Sequence, residues 1–183
     1  MQENMNPNES ATSSIETDAV KNSEVYFFTT STLKLVLMSI CTFGMYELYW
    51  FYKNWMLIKK RTKQNIIPFW RAFFAPLWAY SCFKHIKTVA GERNIEKSLS
   101  IGFLAFVYFI LQALWRLPDP FWLISFSSVV LLIPVNNVAL EVNKNLDSEF
   151  KNNENFTGWN WVGLVMGGLL VLPSIMSMFL LEV

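Results

Sequence analysis

The sequence predicts an all-α fold: an integral membrane helical bundle over residues 29–183, with about four membrane segments and one amphipathic interfacial helix. Three observations carry that expectation. First, three stretches contain no charged residue: Ser98–Trp115 (18 residues), Pro120–Leu140 (21) and Asn155–Leu181 (27). Such runs match the roughly 20 apolar residues a helix needs to cross about 30 Å of hydrocarbon. Second, charge falls in blocks: five acids and one base in residues 1–28, ten bases and two acids in 53–97, four acids and two bases in 141–154. Bases set between apolar runs read as membrane orientation, placing the 59–97 segment on the cytoplasmic side and the C-terminus on the outer side. Third, 53% of the 183 residues are hydrophobic and 16% charged, against about 45–50% and 25% in soluble domains. Fourteen of the first 28 residues are Asn, Ser, Thr or Glu, so the remainder is more apolar than the average.

These features exclude several classes. No nucleic-acid recognition module accompanies the basic block. Cys41 and Cys82 are the only cysteines and both lie in apolar surroundings, so no disulfide framework is expected. His85 is the single histidine, flanked by Lys84 and with Lys87 close behind, and reads as a solvated residue at a helix end. Neither cysteine has a partner at CxxC spacing, so no zinc site can be assembled. The acidic start lacks the basic leader of a signal peptide, and the first membrane segment is expected to stay uncleaved.

In chain order, residues 1–28 form a polar, acidic tail expected to be disordered, with Val25–Phe28 as a short extended lead-in. Thr29–Thr32 offer N-caps for a helix from Leu33. The region from Leu33 to about Arg61 spans 29 residues, about 43 Å as one helix, so it must bend or emerge. Gly44 is the weak point. Full crossing is the favoured expectation, with the acidic tail outside; a dip and return at Gly44 would keep the tail inside. The crowd of Tyr46, Tyr49, Trp50, Phe51, Tyr52 and Trp55 marks a membrane surface, and Lys59, Lys60, Arg61 and Lys63 mark the cytoplasmic one.

Pro68 suits the first turn of a helix reaching about Val89 and closed by Gly91. Its apolar core between Arg71 and Lys84 is too short to span, so this helix is expected to lie in the interface, as the amphipathic helix named above, or to pack beneath the bundle. Ser98 caps a helix to about Leu117, and Pro118–Pro120 turn the chain into a second, from Phe121 to about Val138. The polar continuation of that second helix, through Glu141, Lys144 and Asp147, is expected to project past the membrane. After a polar loop (145–157), Thr157 caps a last helix, Gly158–Leu181, kinked at Pro173, where Ser174 or Ser177 compensates the lost donor.

Within these elements no catalytic, cofactor or metal constellation is present. Glu47 is the one acid of the first apolar region. A carboxylate in lipid must be paired, protonated or turned to water. One reading makes it a proton or cation site with Asn54, Gln112, Asn136, Asn137 or Arg116 as neighbours; the other, favoured, makes it an interfacial glutamate reaching headgroups or a basic residue. Asn136 and Asn137 follow Pro134, where a kink could bare carbonyls for an ion, although interhelical packing is the simpler use of two amides. Gly163 and Gly167 form a GxxxG that lets two backbones approach, inside the bundle by default or between two copies.

The run Leu37–Trp55 resembles the signature of a family of small bacterial multi-helix membrane proteins carrying a domain of unknown function. The matching residues are Thr42, Phe43, Gly44, Tyr46, Tyr49, Trp50, Phe51 and Tyr52, and the segment Pro68–Pro76 is similar to the continuation in one subgroup. The resemblance covers about residues 26–90. It implies an inner-membrane location and brings no catalytic residue, substrate or cofactor. The leading expectation is therefore a non-enzymatic scaffold acting through protein or lipid contacts, its partners being the bilayer and other proteins or a second copy through Gly163 and Gly167. The alternative is a small transporter, channel or lipid-handling protein using Glu47 and the polar residues near Pro134. Whether Glu47 faces Asn136 and Asn137 in one polar cavity separates the two.

Overall fold

The chain enters the fold as an extended strand without a sheet. The computed structural model describes residues 25–95, 98–118 and 121–180; the expectation for residues 1–24 lies outside them. Val25–Phe28, counted with the tail above, belong to the fold: Phe27 is fully buried, and so are Thr29 and Thr30 just beyond. Thr30 makes an isolated parallel bridge with Asn153, and the regular elements among the described residues are helices joined by loops: α1 (Thr32–Cys41), α2 (Met45–Thr62), α3 (Pro68–Phe73), α4 (Ala75–Glu92), α5 (Ile101–Ala113), α6 (Ser128–Leu146) and α7 (Gly158–Leu180), with 3-10 turns at Leu114–Arg116 and Phe121–Ser127.

Ser31 is the residue that caps α1, its hydroxyl accepting from Lys34 N at 3.3 Å. Ten residues reach only about 15 Å, half the hydrocarbon thickness. The helix then breaks where expected. Phe43 and Gly44 both take left-handed backbone, φ 51° and 82°, a conformation glycine adopts without steric cost. Thr42 Oγ1 donates to Met38 O (2.6 Å) and accepts from Tyr46 N (3.0 Å), bridging the break. The chain returns: the Tyr46 hydroxyl lies 3.5 Å from Thr30 Oγ1, Asn54 pairs with Phe28, and Arg61 with Tyr26. The strand thus runs antiparallel to α2, and the turn at Phe43 and Gly44 parts α1 from α2.

The helix expected from Pro68 to Val89 is two, α3 and α4, parted at Phe74. Pro76 lacks an N–H and its ring would meet the carbonyl four residues back, which breaks the ladder there. The second piece ends past Gly91. Asn94, at φ 56°, supplies the left-handed residue, while Asn94 N and Ile95 N close onto Gly91 O and Ala90 O. Nor is α4 merely interfacial. Ala75, Ala79, Cys82, Phe83 and Ile86 are buried against α2, α5 and α6, the small residues allowing the approach of Trp50, Phe51, Trp55 and Ile58 of α2. Leu132, Val135, Ala139 and Val142 of α6 complete the core.

Ser100, not Ser98, stands at the start of α5, and its side chain makes no cap bond. With Leu114–Arg116 tightened to 3-10 geometry, the uncharged run from Ser98 yields a shorter helix than its length suggests. One stretch among the described residues, Phe121–Leu146, is long and apolar enough to cross a membrane; Thr32–Cys41, Ile101–Arg116 and Asn160–Val171 are apolar but shorter. Among the described residues, one of the four expected segments thus has full spanning length. The polar end of α6 does not project freely, because Val138, Ala139, Val142 and Asn143 are buried. Pro134 and Pro173 both sit inside continuous helices, and the side chains of Ser174 and Ser177 lie outside the described residues.

The GxxxG of α7 faces α1. A Cβ built at Gly167 would overlap the Cys41 carbonyl outright, and one at Gly163 would come within 3.4 Å of the Met38 methyl. These glycines are thus consumed by packing within the chain.

Candidate functional site

The interior holds three polar groupings, all assembled across long sequence separations. In the first, Glu47 on the opening turn of α2 is 1% exposed, which corrects its expected place at the interface. The Tyr108 hydroxyl donates to Glu47 Oε2 at 2.9 Å, Gln112 Nε2 donates to the same oxygen at 3.0 Å, and Ser128 Oγ donates to Oε1 at 3.0 Å. Gln112 Nε2 also lies 3.2 Å from both Tyr108 OH and Ser128 Oγ. These partners are all neutral, so the ring of donors spreads the carboxyl group's charge without cancelling it. Chemically the arrangement can hold one proton or one dispersed negative charge. Gln112 was foreseeable as a neighbour. Tyr108 lies four residues before it on the same helical face, a spacing visible in the sequence and overlooked; Ser128 carries no such signal. Arg116 is exposed.

In the second grouping, three asparagine side chains replace the missing sheet partners of the strand. Asn143 Oδ1 accepts from Tyr26 N and Phe27 N (3.1 Å each), and its Nδ2 donates to Phe27 O at 2.7 Å. Asn54 Oδ1 accepts from Phe28 N at 3.1 Å, while Nδ2 donates to Phe28 O and Trp50 O. Asn136 Oδ1 accepts from Thr30 N (3.2 Å) and Trp50 Nε1 (3.1 Å), and its Nδ2 donates to Thr30 O at 2.7 Å. A carboxamide presents the same donor and acceptor as a peptide group, and buried backbone without such partners is strongly disfavoured. Asn136 and Asn143, two turns apart, share one face of α6. Arg61 closes the outer end, donating to Tyr26 O at 3.2 Å with its guanidinium 4.9 and 4.6 Å from the Tyr26 and Phe27 rings.

Sequence reasoning missed the third grouping altogether. Lys34, 1% exposed, donates from Nζ to Asn153 Oδ1 (2.8 Å) and Asn155 O (2.7 Å), and with its amide turned Asn160 accepts a third bond at 3.0 Å. Thr30 Oγ1 donates to Asn153 O and Thr29 Oγ1 to Asn152 Oδ1, both at 2.9 Å. Neutral oxygens thus surround the ammonium and tie α1 to the loop before α7. A recess of about 340 Å³ opens beside it, lined by Lys34, Tyr46, Tyr49 and Asn153 among others.

The candidates named from sequence therefore separate. Glu47 meets Gln112; Asn54 and Asn136 serve the strand instead; Asn137 is exposed. Of the signature residues, Thr42, Phe43 and Gly44 make the turn between α1 and α2, Tyr46 and Trp50 reach the strand and its clasp, and Tyr49 packs edge-on against Phe28 at 5.4 Å. His85 is half-buried, edge-on to Trp55 at 5.9 Å, not freely solvated. Burial, then the cations Arg61, Arg71 and Lys84, hold its pKa below the usual histidine value. Among the described residues no group of three or more His, Cys, Asp or Glu is placed to hold a metal ion. No family model, curated protein or solved structure matches this chain.

Proposed function

We propose that this protein is a non-enzymatic, membrane-embedded helical scaffold that acts through lipid and protein contacts. One observation carries the reading: polarity is turned inward and consumed, while apolar surface is turned outward. Phe103 and Phe106 on α5 are 64% and 65% exposed, and Leu169 on α7 is 66% exposed, with Val162, Val165 and Met166 beside it. Water would penalise such faces, whereas hydrocarbon accepts them. Meanwhile Asn54 and Asn136, which a transport path would need, are bonded to the chain's own backbone, and Glu47 belongs to a different cluster from Asn136. Separation of these groups supports a scaffold over the transporter alternative.

The antiparallel strand supports an orientation. With the basic end of α2 on the cytoplasmic side of a bacterial inner membrane, the strand enters from that side and the acidic tail stays inside. α6 then runs towards the cytoplasm. α7 pairs with α1 in parallel, Gly163 near Met38 and Gly167 near Cys41, and carries the C-terminus outward. Reporter fusions test the topology, with a cytoplasmic tail and a periplasmic C-terminus expected. Reconstitution into proteoliposomes tests the activity class. Absence of proton, cation and solute flux, together with copurification of specific membrane partners in mild detergent, is the expected result. Flux abolished by Glu47→Gln would replace the scaffold with the transporter.

A further inference from the structure

Where α2 ends and α3 begins, a groove of about 480 Å³ combines two chemistries. Lys59, Lys60 and Lys63 line it together with the apolar side chains of Met56, Ile67 and Phe69. All six side chains are exposed: Ile67 is 60% exposed and Phe69 57%. Lys63 itself sits at a left-handed φ of 53°, where α2 stops and the chain turns back over the groove towards Pro68. No acid interrupts the sequence between Glu47 and Glu92, a stretch holding eight bases. The other bases nearby have structural duties: Arg61 clasps Tyr26 and Phe27, and Arg71 lies 4.5 Å from the rings of both Trp55 and Trp78.

We propose that this groove binds the phosphate of an anionic phospholipid, with the lysines on the headgroup and the upper acyl chain along Met56, Ile67 and Phe69. Charge selects the occupant. A neutral protein surface would leave the charges of Lys59 and Lys63 unanswered, and a nucleic acid would leave the apolar wall wet. The groove also runs into an aromatic shelf, Phe69, Trp70, Phe73 and Phe74, whose rings pack at 5.1 to 6.3 Å and are all largely exposed. Aromatic rings beside lysines are the pairing expected at headgroup depth. The inference rests on the membrane reading above and adds a lipid class and a place.

The test uses the full chain in detergent, delipidated and then offered phosphatidylglycerol or phosphatidylcholine, with bound lipid counted by native mass spectrometry. Attraction to anionic lipid of about fivefold per surface lysine leads us to expect at least a tenfold preference for phosphatidylglycerol. The triple variant Lys59→Gln, Lys60→Gln, Lys63→Gln should lose that preference. A control with the same charge loss at exposed sites elsewhere, Lys84→Gln, Lys144→Gln, Lys151→Gln, should keep it. Equal retention of the two lipids, or equal loss in both variants, overturns the inference while leaving the scaffold intact. A chain that needs no detergent to stay monomeric overturns the membrane reading itself.

Discussion

Replacing Gly167 with alanine adds one methyl group where none fits. That methyl would coincide with the carbonyl group of Cys41 and come within 3.2 Å of its Cα. The obstacle is backbone, so no rotamer change relieves it; α7 must retreat by roughly 2 Å to restore ordinary carbon–oxygen contact. Overpacking of this kind costs about 1–3 kcal/mol and sometimes more, and a retreat also loosens Gly163 from Met38 and Thr42. Gly168, one residue on, is the internal control. A Cβ there meets nothing within 4 Å, so Gly168→Ala should gain up to about 1 kcal/mol of helix propensity. The two alanines should thus differ by about 3 kcal/mol, roughly 6–12 °C in unfolding midpoint for a chain of this size. Gly163→Ala belongs between them, since its methyl would touch only the flexible end of Met38 and the Thr42 methyl. The assay is thermal unfolding of the three variants side by side in one detergent. Indistinguishable midpoints for Gly167→Ala and Gly168→Ala would refute the close α1–α7 contact.

Other consequences are equally specific. Asn143→Leu strips partners from Tyr26 N, Phe27 N and Phe27 O and should cost about 2–4 kcal/mol; hydrogen exchange at the Phe27 amide would rise to the rate of an unprotected residue, and continued protection there would refute the clasp. Glu47→Ala leaves Tyr108, Gln112 and Ser128 without their common acceptor and should destabilise by about 2 kcal/mol, whereas Glu47→Gln keeps an acceptor oxygen and should retain accumulation and phenotype in cells. The depressed pKa of His85 means the unfolded chain takes up a proton that the folded chain refuses. Stability should therefore fall as pH drops through the unfolded value near 6.5 towards the lower folded one. His85→Gln should flatten that slope in pH-dependent unfolding curves; an unchanged slope assigns it to other groups.

Much of the helical layout was legible along the chain, because uncharged runs, Ser31, Gly44 and Thr42 act through neighbours a few residues away. The break at Pro76 is equally local, since a proline inside an apolar run interrupts the helix around it. The polar interior was not legible. Asn54, Asn136 and Asn143 look like amides scattered through apolar helices until a strand 26 to 117 residues distant is laid between them. The partners of Lys34 lie in a loop more than a hundred residues later, beyond the reach of any local signal.

Local composition by itself determined that this chain is helical, where it bends, and which segment carries its positive charge. Only the tertiary structure decided that the entry strand runs antiparallel to α2, that the GxxxG glycines serve α1, and that the buried amides hold a strand. Helix formation depends on residues within one or two turns. The partner of a buried polar atom is chosen by whatever the packed chain brings within 3 Å of it.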